Sequence, residues 1–183
     1  MVIFVGAGPG AEDLITVRGQ KYLQEADQII YAGSLVNPAL LNRKKETAIV
    51  KNSAYMTLEE VIQAICKEEE KGGLTVRLHT GDPCLYGAIR EQMDELDARG
   101  ISYEVCPGVS SFSGAAAALQ AEYTLPSISQ SVVITRMAGR TPVPERESIR
   151  AFAAHGATMV IFLSAGMLPK LQEELLLGGY TEE

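Results

Sequence analysis

Short apolar runs alternate along this chain with longer amphipathic stretches. Val2, Ile3, Phe4 and Val5 form an unbroken apolar run, the mark of a strand buried on both faces, and Gly6-Ala7-Gly8-Pro9-Gly10 follows at once. Residues 16–26 read as a helix, with Val17 and the 23–26 end facing inward. Ile29, Ile30 and Tyr31 give a second strand. Leu58, Val61, Ile62 and Ile65 keep the spacing of one helical face, residues 68–71 read as its solvated end, and Gly72-Gly73 as its stop. A strand over 74–78 runs into His79-Thr80-Gly81-Asp82-Pro83, and Ile89, Met93 and Leu96 mark the next helix, closed by Gly100. Tyr103, Glu104 and Val105 form a strand entering Pro107-Gly108-Val109-Ser110-Ser111. This alternation predicts an α/β fold with a mostly parallel sheet and helices on both faces.

The pattern changes after Ser111. Residues 113–121 are small and alanine-rich, which suits a closely packed helix, and runs at 132–135 and 159–163 read as two more strands. Between these strands, residues 136–142 form a loop rich in turn formers. The expected boundary lies near residue 112, giving an N-terminal α/β lobe over 1–112 and a second over 113–183. A helix over 168–177 stops at Gly178-Gly179, and the second lobe is left with two clear strands, so it is expected to be an incomplete α/β lobe.

Composition narrows the classes. With 183 residues, 46% of them hydrophobic, the chain can bury a core in one domain or in two small lobes. Sixteen Lys and Arg stand against 23 Asp and Glu, a net charge of −7, which argues against a protein that coats nucleic acid. Cys66, Cys84 and Cys106 are odd in number and contain no CxxC pair, so neither a disulfide framework nor a zinc site is expected, and no metal is assigned. The start lacks a basic, apolar leader, and no apolar run approaches the roughly 18 residues that span a bilayer. A reduced, cytoplasmic protein with no membrane partner is expected.

The chemistry is carried by three loops, each following a strand. A strand followed by Gly6-x-Gly8-x-x-Ala11, with Asp27 further on, matches a relaxed dinucleotide fingerprint and leaves a nicotinamide-dependent oxidoreductase open. Pro9 stiffens that turn and supplies no N–H, and the helix begins late, so the fit is loose. Asp82 in the second loop reads as a helix cap or a ligand acceptor. Three polar, glycine-bearing loops at one sheet edge point to a small-molecule cleft.

Those same residues carry a family resemblance that extends over the whole chain. Val5-Gly6-Ala7-Gly8-Pro9-Gly10 with Leu14-Ile15-Thr16-Val17-Arg18-Gly19 resembles the opening signature of the tetrapyrrole methylases. Gly81-Asp82-Pro83 with Tyr86-Gly87, and Pro107-Gly108-Val109-Ser110-Ser111, resemble two further motifs of that family. Within it, Tyr31-Ala32-Gly33-Ser34-Leu35-Val36 and Ile134-Thr135-Arg136 with Gly139-Arg140-Thr141 are similar to the C11-methylating branch that acts on precorrin-4 or its cobalt form. The uroporphyrinogen-III branch carries Asp where this chain has Ala32.

The resemblance implies two α/β lobes, a homodimer, and S-adenosyl-L-methionine held between the lobes rather than on the first glycine loop. Pro9, Thr80, Gly81, Asp82, Leu85, Ser110, Ser111 and Leu163 are the implied cofactor contacts. Family members run to roughly 250 residues and draw part of the adenine pocket from the later segment, so turnover by this chain stays open beside a non-catalytic, ligand-binding reading. Methyl transfer from a sulfonium needs alignment and water exclusion more than an activated nucleophile, so no catalytic residue is assigned. The implied small-molecule partner is a polycarboxylate tetrapyrrole. Arg18, Lys51, Arg136 and Arg140 are its candidate contacts, Arg136 and Arg140 foremost. His79, beside the second loop, reads as a hydrogen-bonded structural histidine.

Overall fold

The computed structural model describes residues 1–182 and divides into two units, Met1–Ala115 and Ala116–Glu183. In the first, the chain runs β1 (Val2–Gly6), α1 (Val17–Glu25), β2 (Gln28–Tyr31), β3 (Ile49–Asn52), α2 (Leu58–Glu69), β4 (Thr75–His79), α3 (Arg90–Asp97) and β5 (Tyr103–Cys106). Helix α4 (Ser111–Leu119) straddles the division, and β6 (Val132–Arg136), α5 (Ile149–Ala153), β7 (Thr158–Phe162) and α6 (Leu168–Leu177) complete the second unit.

The first sheet has the order β3-β2-β4-β1-β5, parallel throughout. Side chains alternate across it, so each apolar run supplies two cores. Ile3 and Val5 join Ile29, Val76 and Leu78 under Leu23 and Ala26, on the α1 side. Val2, Phe4 and Ile30 meet Val61, Ile62 and Ile65 of α2 and Leu96 of α3 on the other. All five residues of β1 and of β4 are buried, β1 as an unbroken apolar run in a covered parallel sheet and β4 although it carries Thr75, Arg77 and His79. Thr16 caps α1 by accepting the Gly19 amide at 3.0 Å. At Gly19 a Cβ would lie 3.0 Å from Val5 Cγ1, so the glycine lets α1 approach β1 closely.

Several expectations change. Val17 is 89% exposed, because it occupies the first helical position, on the side of α1 away from Leu23. Glu68 is buried rather than solvated; it folds over Gly73 and pairs with Lys71 Nζ at 3.0 Å. Strand β3 and helix α5 had no clear sequence signal: β3 is a half-buried edge of four residues, and α5 is one short turn of helix opened by the Ser148 cap. Helix α4 begins two residues earlier than expected, at Ser111.

The second unit holds a two-stranded parallel sheet of β6 and β7. Gly178 sits against α5, where a Cβ would lie 2.4 Å from Ala153 Cβ, so the end of α6 packs directly on that helix. Ser164 is buried; its Oγ donates to Phe162 O at 2.7 Å and accepts from Met137 N at 3.1 Å, which ties the ends of β6 and β7 together.

Candidate functional site

The neighbouring central strands β1 and β4 lead at their carboxyl ends into the first two loops, while the chain passes from β1 across β4 to β2 and from β4 across β1 to β5. In an open parallel sheet ligands bind outside the carboxyl ends of the strands. Here the first two loops meet as a small antiparallel bridge: Gly81 N donates to Gly8 O at 2.9 Å and Gly8 N to Gly81 O at 3.3 Å. Ala7 N donates to His79 O at 2.7 Å beside them. The third loop closes against both. A Cβ on Gly108 would stand 2.1 Å from Gly81 O and 2.7 Å from Gly6 Cα, distances that only glycine at 6 and 108 allows.

The Asp82 carboxylate fastens the assembly. One oxygen accepts the Cys84 amide at 2.8 Å and the other the Gly108 amide at 2.9 Å, so the side chain joins the second loop to the third. Asn37 Nδ2 donates to Gly10 O at 2.8 Å and holds the tip of the first loop. Ser110 O accepts the amides of Ser113 and Gly114, starting α4, whose positive amide end therefore opens at the third loop. Gly114 brings α4 onto Pro9, where a Cβ would lie 2.7 Å from Pro9 Cβ.

Six of the expected cofactor contacts thus share one edge of the first unit: Pro9, Thr80, Gly81, Asp82, Ser110 and Ser111. Ser110 is buried and Ser111 exposed at the first turn of α4. Leu85 is half-buried in the turn after Asp82. Leu163 belongs to the second unit, directly after β7, in the left-handed region (φ 57°) and 69% exposed. That kink turns Ser164 inward to its hydrogen bonds and leaves the Leu163 side chain outside.

The candidate substrate contacts belong to both units, Arg18 and Lys51 to the first and Arg136 and Arg140 to the second. Arg18 is exposed on α1. Lys51 lines a cavity of about 190 Å3 with Tyr55, Met56 and Glu60, against α2. The Arg136 guanidinium donates to Met137 O, Thr141 O and Pro142 O at 2.9–3.2 Å, so it braces its own loop. Arg140 is exposed in that loop. Asp82 does not cap a helix either, since α3 starts only at Arg90.

The dinucleotide reading does not survive the geometry. Asp27 precedes β2 and so lies at the amino edge of the sheet, where it accepts the Leu74 amide at 2.7 Å and pairs with Lys45 Nζ at 2.5 Å. Those bonds hold its carboxyl below the usual range, the Leu74 N–H first and Lys45 next. Moreover a 3-10 turn over Glu12–Leu14 separates Ala11 from α1, so α1 does not start on the glycine loop as the dinucleotide fingerprint requires.

Behind the loops, β4 carries two buried basic side chains. Arg77 donates to Gln92 Oε1 at 2.8 Å and Ile30 O at 2.6 Å, and burial brings its guanidinium down to about 10. His79 was expected to be hydrogen-bonded, yet its Nε2 is buried without a partner, packed near Phe4 with ring centroids 6.0 Å apart. Burial, and then the Arg77 charge, lower its pKa to about 3, so the ring is neutral at physiological pH. Sequence reasoning missed the bracing work of Asp82 and Arg136; their motifs showed acids and bases near turns, but not their amide and carbonyl partners.

The family model for Tetrapyrrole (Corrin/Porphyrin) Methylases matches residues 1–182. A cobalt-precorrin-4 C(11)-methyltransferase of Methanocaldococcus jannaschii is 56% identical over 182 residues, which cover 100% of this chain and 70% of that relative. The crystal structure of a cobalt precorrin-4 methyltransferase, a cobalamin biosynthetic enzyme, superimposes with a TM-score of 0.96 at 45% identity, covering 100% of this chain and 76% of that one. A uroporphyrin-III C-methyltransferase from Thermus thermophilus, solved in complex with S-adenosyl homocysteine, shares the fold at a TM-score of 0.78 and 24% identity, over 98% of this chain and 73% of its own.

Proposed function

We infer that this chain, which belongs to the tetrapyrrole methylase family, is an S-adenosyl-L-methionine-dependent methyltransferase of cobalamin biosynthesis that methylates C11 of (cobalt-)precorrin-4. The observation that carries the reading is 56% identity to a C(11)-methyltransferase along the whole chain, joined to the three-loop edge described above. The homodimer and the cytoplasmic location are proposed with it, on the family resemblance.

The loops suit this cofactor. Ser110, Ser111 and the amide end of α4 offer hydroxyls and partial positive charge for its carboxylate. Gly81 takes the left-handed conformation (φ 62°) that glycine adopts without strain, and an added Cβ would only touch the Ser111 amide at 3.4 Å, so backbone conformation rather than space calls for glycine there. Asp82 supplies a carboxylate on a braced backbone, and Pro9, Thr80 and Leu85 complete the set on this unit; Leu163 is kept on the resemblance alone. When bound, S-adenosylmethionine supplies an electrophilic methyl on an excellent leaving group. The chain's own residues then have to bind, orient and exclude water, which rigid interlocked loops do well. For the polycarboxylate substrate, Arg140 and Arg18 are the exposed candidates, Lys51 a further one, and Arg136 holds the loop that carries Arg140.

Calorimetric titration with S-adenosylhomocysteine, with NAD as the control, tests this. One-to-one binding of the former alone is expected, weakened at least about tenfold by Asp82→Ala, which strands the Gly108 amide. NAD binding alone would overturn the reading.

A further inference from the structure

Arg77 is a buried charge without a carboxylate partner among the described residues. Its donors end on neutral oxygens: Gln92 Oε1, Ile30 O and, at 3.5 Å, Ser53 Oγ. Burying an uncompensated cation is costly, and an apolar residue would suit this covered face of β4 better on stability grounds alone. What the guanidinium holds is therefore informative.

It fixes the Gln92 amide. With Oε1 turned to Arg77, Nε2 faces the opposite way and donates to Ala88 O at 3.1 Å. Ala88 is no ordinary residue: it has φ 50°, and Tyr86 has φ 55°, two non-glycine residues in the left-handed region within one short turn. Gly87 between them folds back so tightly that a Cβ would lie 2.1 Å from Pro83 O. Such backbone persists only where its surroundings over-determine it, and pairs of this kind gather at functional sites. The turn begins at Asp82, which is fastened to Gly108, and ends at Ala88, which is fastened to Gln92.

We propose that Arg77 and Gln92 are a positioning pair, which holds the Tyr86–Ala88 turn in its left-handed conformation and thereby sets the Asp82–Leu85 segment of the cofactor edge. This rests on the methyltransferase reading for its functional consequence, but not for its structural one. Arg77, fixed on the central strand β4, orients one side-chain amide, and that amide clamps the far end of the turn. The orphaned Nε2 of His79 lies on the same strand face and takes no part in the clamp.

Gln92→Glu separates clamping from stability. The carboxylate still accepts from Arg77 and now neutralises it, so the thermal midpoint is expected to hold or rise. Its second oxygen, however, repels Ala88 O instead of donating to it. Hydrogen exchange of the amides at 84–89 is then expected to quicken roughly tenfold, and S-adenosylhomocysteine affinity to fall by a similar factor. Gln92→Met, which removes both hydrogen bonds at similar volume, gives the same exchange result should the glutamate variant fail to fold. Unchanged exchange in the turn overturns the proposal, as does a uniform loss of protection throughout the first unit. If the parent chain binds no S-adenosylhomocysteine but exchange at 84–89 still quickens selectively, the clamp stands and the cofactor reading fails.

Discussion

Strands of similar apolar content meet different fates in the two units. Val2-Ile3-Phe4-Val5 and Met159-Val160-Ile161-Phe162 are both unbroken apolar runs, and each reads as a fully covered strand. β1 is buried at every residue, whereas β7 is half-exposed at every residue. The difference is in the neighbours. β1 has β4 on one side, β5 on the other and helices across both faces, while among the described residues β7 has β6 alone as its sheet partner. Hydrophobicity states what a strand needs covered, and only the rest of the fold decides whether it is.

The largest effect that could break this contrast comes from truncating one side chain in each sheet. Phe4 is fully buried against His79 and, edge-on, Tyr103, with each ring centroid 6.0 Å away, so Phe4→Ala is expected to cost about 3–5 kcal/mol. Ile134 of β6 is 36% exposed, and Ile134→Ala is expected to cost about 1 kcal/mol, since much of the lost area already faces water. Urea unfolding followed separately for the two units measures both. Equal costs would mean that the two sheets are equally consolidated.

The pH dependence of the first unit sharpens the contrast from another side. His79 is buried neutral, with its pKa lowered from 6.5 to about 3 by desolvation and then by Arg77. The unfolded chain takes up a proton near pH 6.5, and the native ring does not until about pH 3. Its contribution to stability is therefore complete above pH 6.5 and is lost as pH falls from there toward 3, at about 1.4 kcal/mol per unit. Replacing His79 with Phe removes the titrating group while keeping an aromatic ring beside Phe4. The difference in unfolding free energy between parent and variant should then shift with that slope across the window. A pH-independent difference would mean that the native ring titrates normally.

Much of the first unit was legible because its signals are local and repeated. The apolar runs of β1 and β2 and the three- and four-residue spacing of α2 leave few alternatives. β3 escaped because its four residues, Ile49-Val50-Lys51-Asn52, are half polar and too few to show an alternation, and α5 because five residues carry too little periodicity. At the site, glycine positions and strand ends located the loops, but not how they interlock. The close approach of Gly6, Gly81 and Gly108 is a contact between backbones distant in sequence, and side-chain chemistry does not announce it. For the same reason the carbonyl partners of Arg136 within its own loop could not be read from its motif. Family resemblance supplied the cofactor, which no local pattern identified.

The smallest expected effect probes how far a local change spreads in each unit. Thr57 and Glu60 form a reciprocal capping box on α2, with Thr57 Oγ1 accepting the Glu60 amide at 3.2 Å and Glu60 accepting the Thr57 amide at 2.8 Å. Ser148 caps α5 through the Ala151 amide at 3.2 Å. Thr57→Ala and Ser148→Ala each remove one such bond, worth about 1 kcal/mol. Val61, Ile62 and Ile65 of α2 are packed into the buried sheet, so its fraying is resisted by the whole core. Thr57→Ala should therefore lower the global stability of the first unit while leaving exchange in α2 slow. The five-residue α5 has little to resist with, and Ser148→Ala should speed exchange within 149–153 without moving the first unit's transition. If the cap on α2 frayed locally and the cap on α5 shifted a global transition, burial would not be what separates the two units.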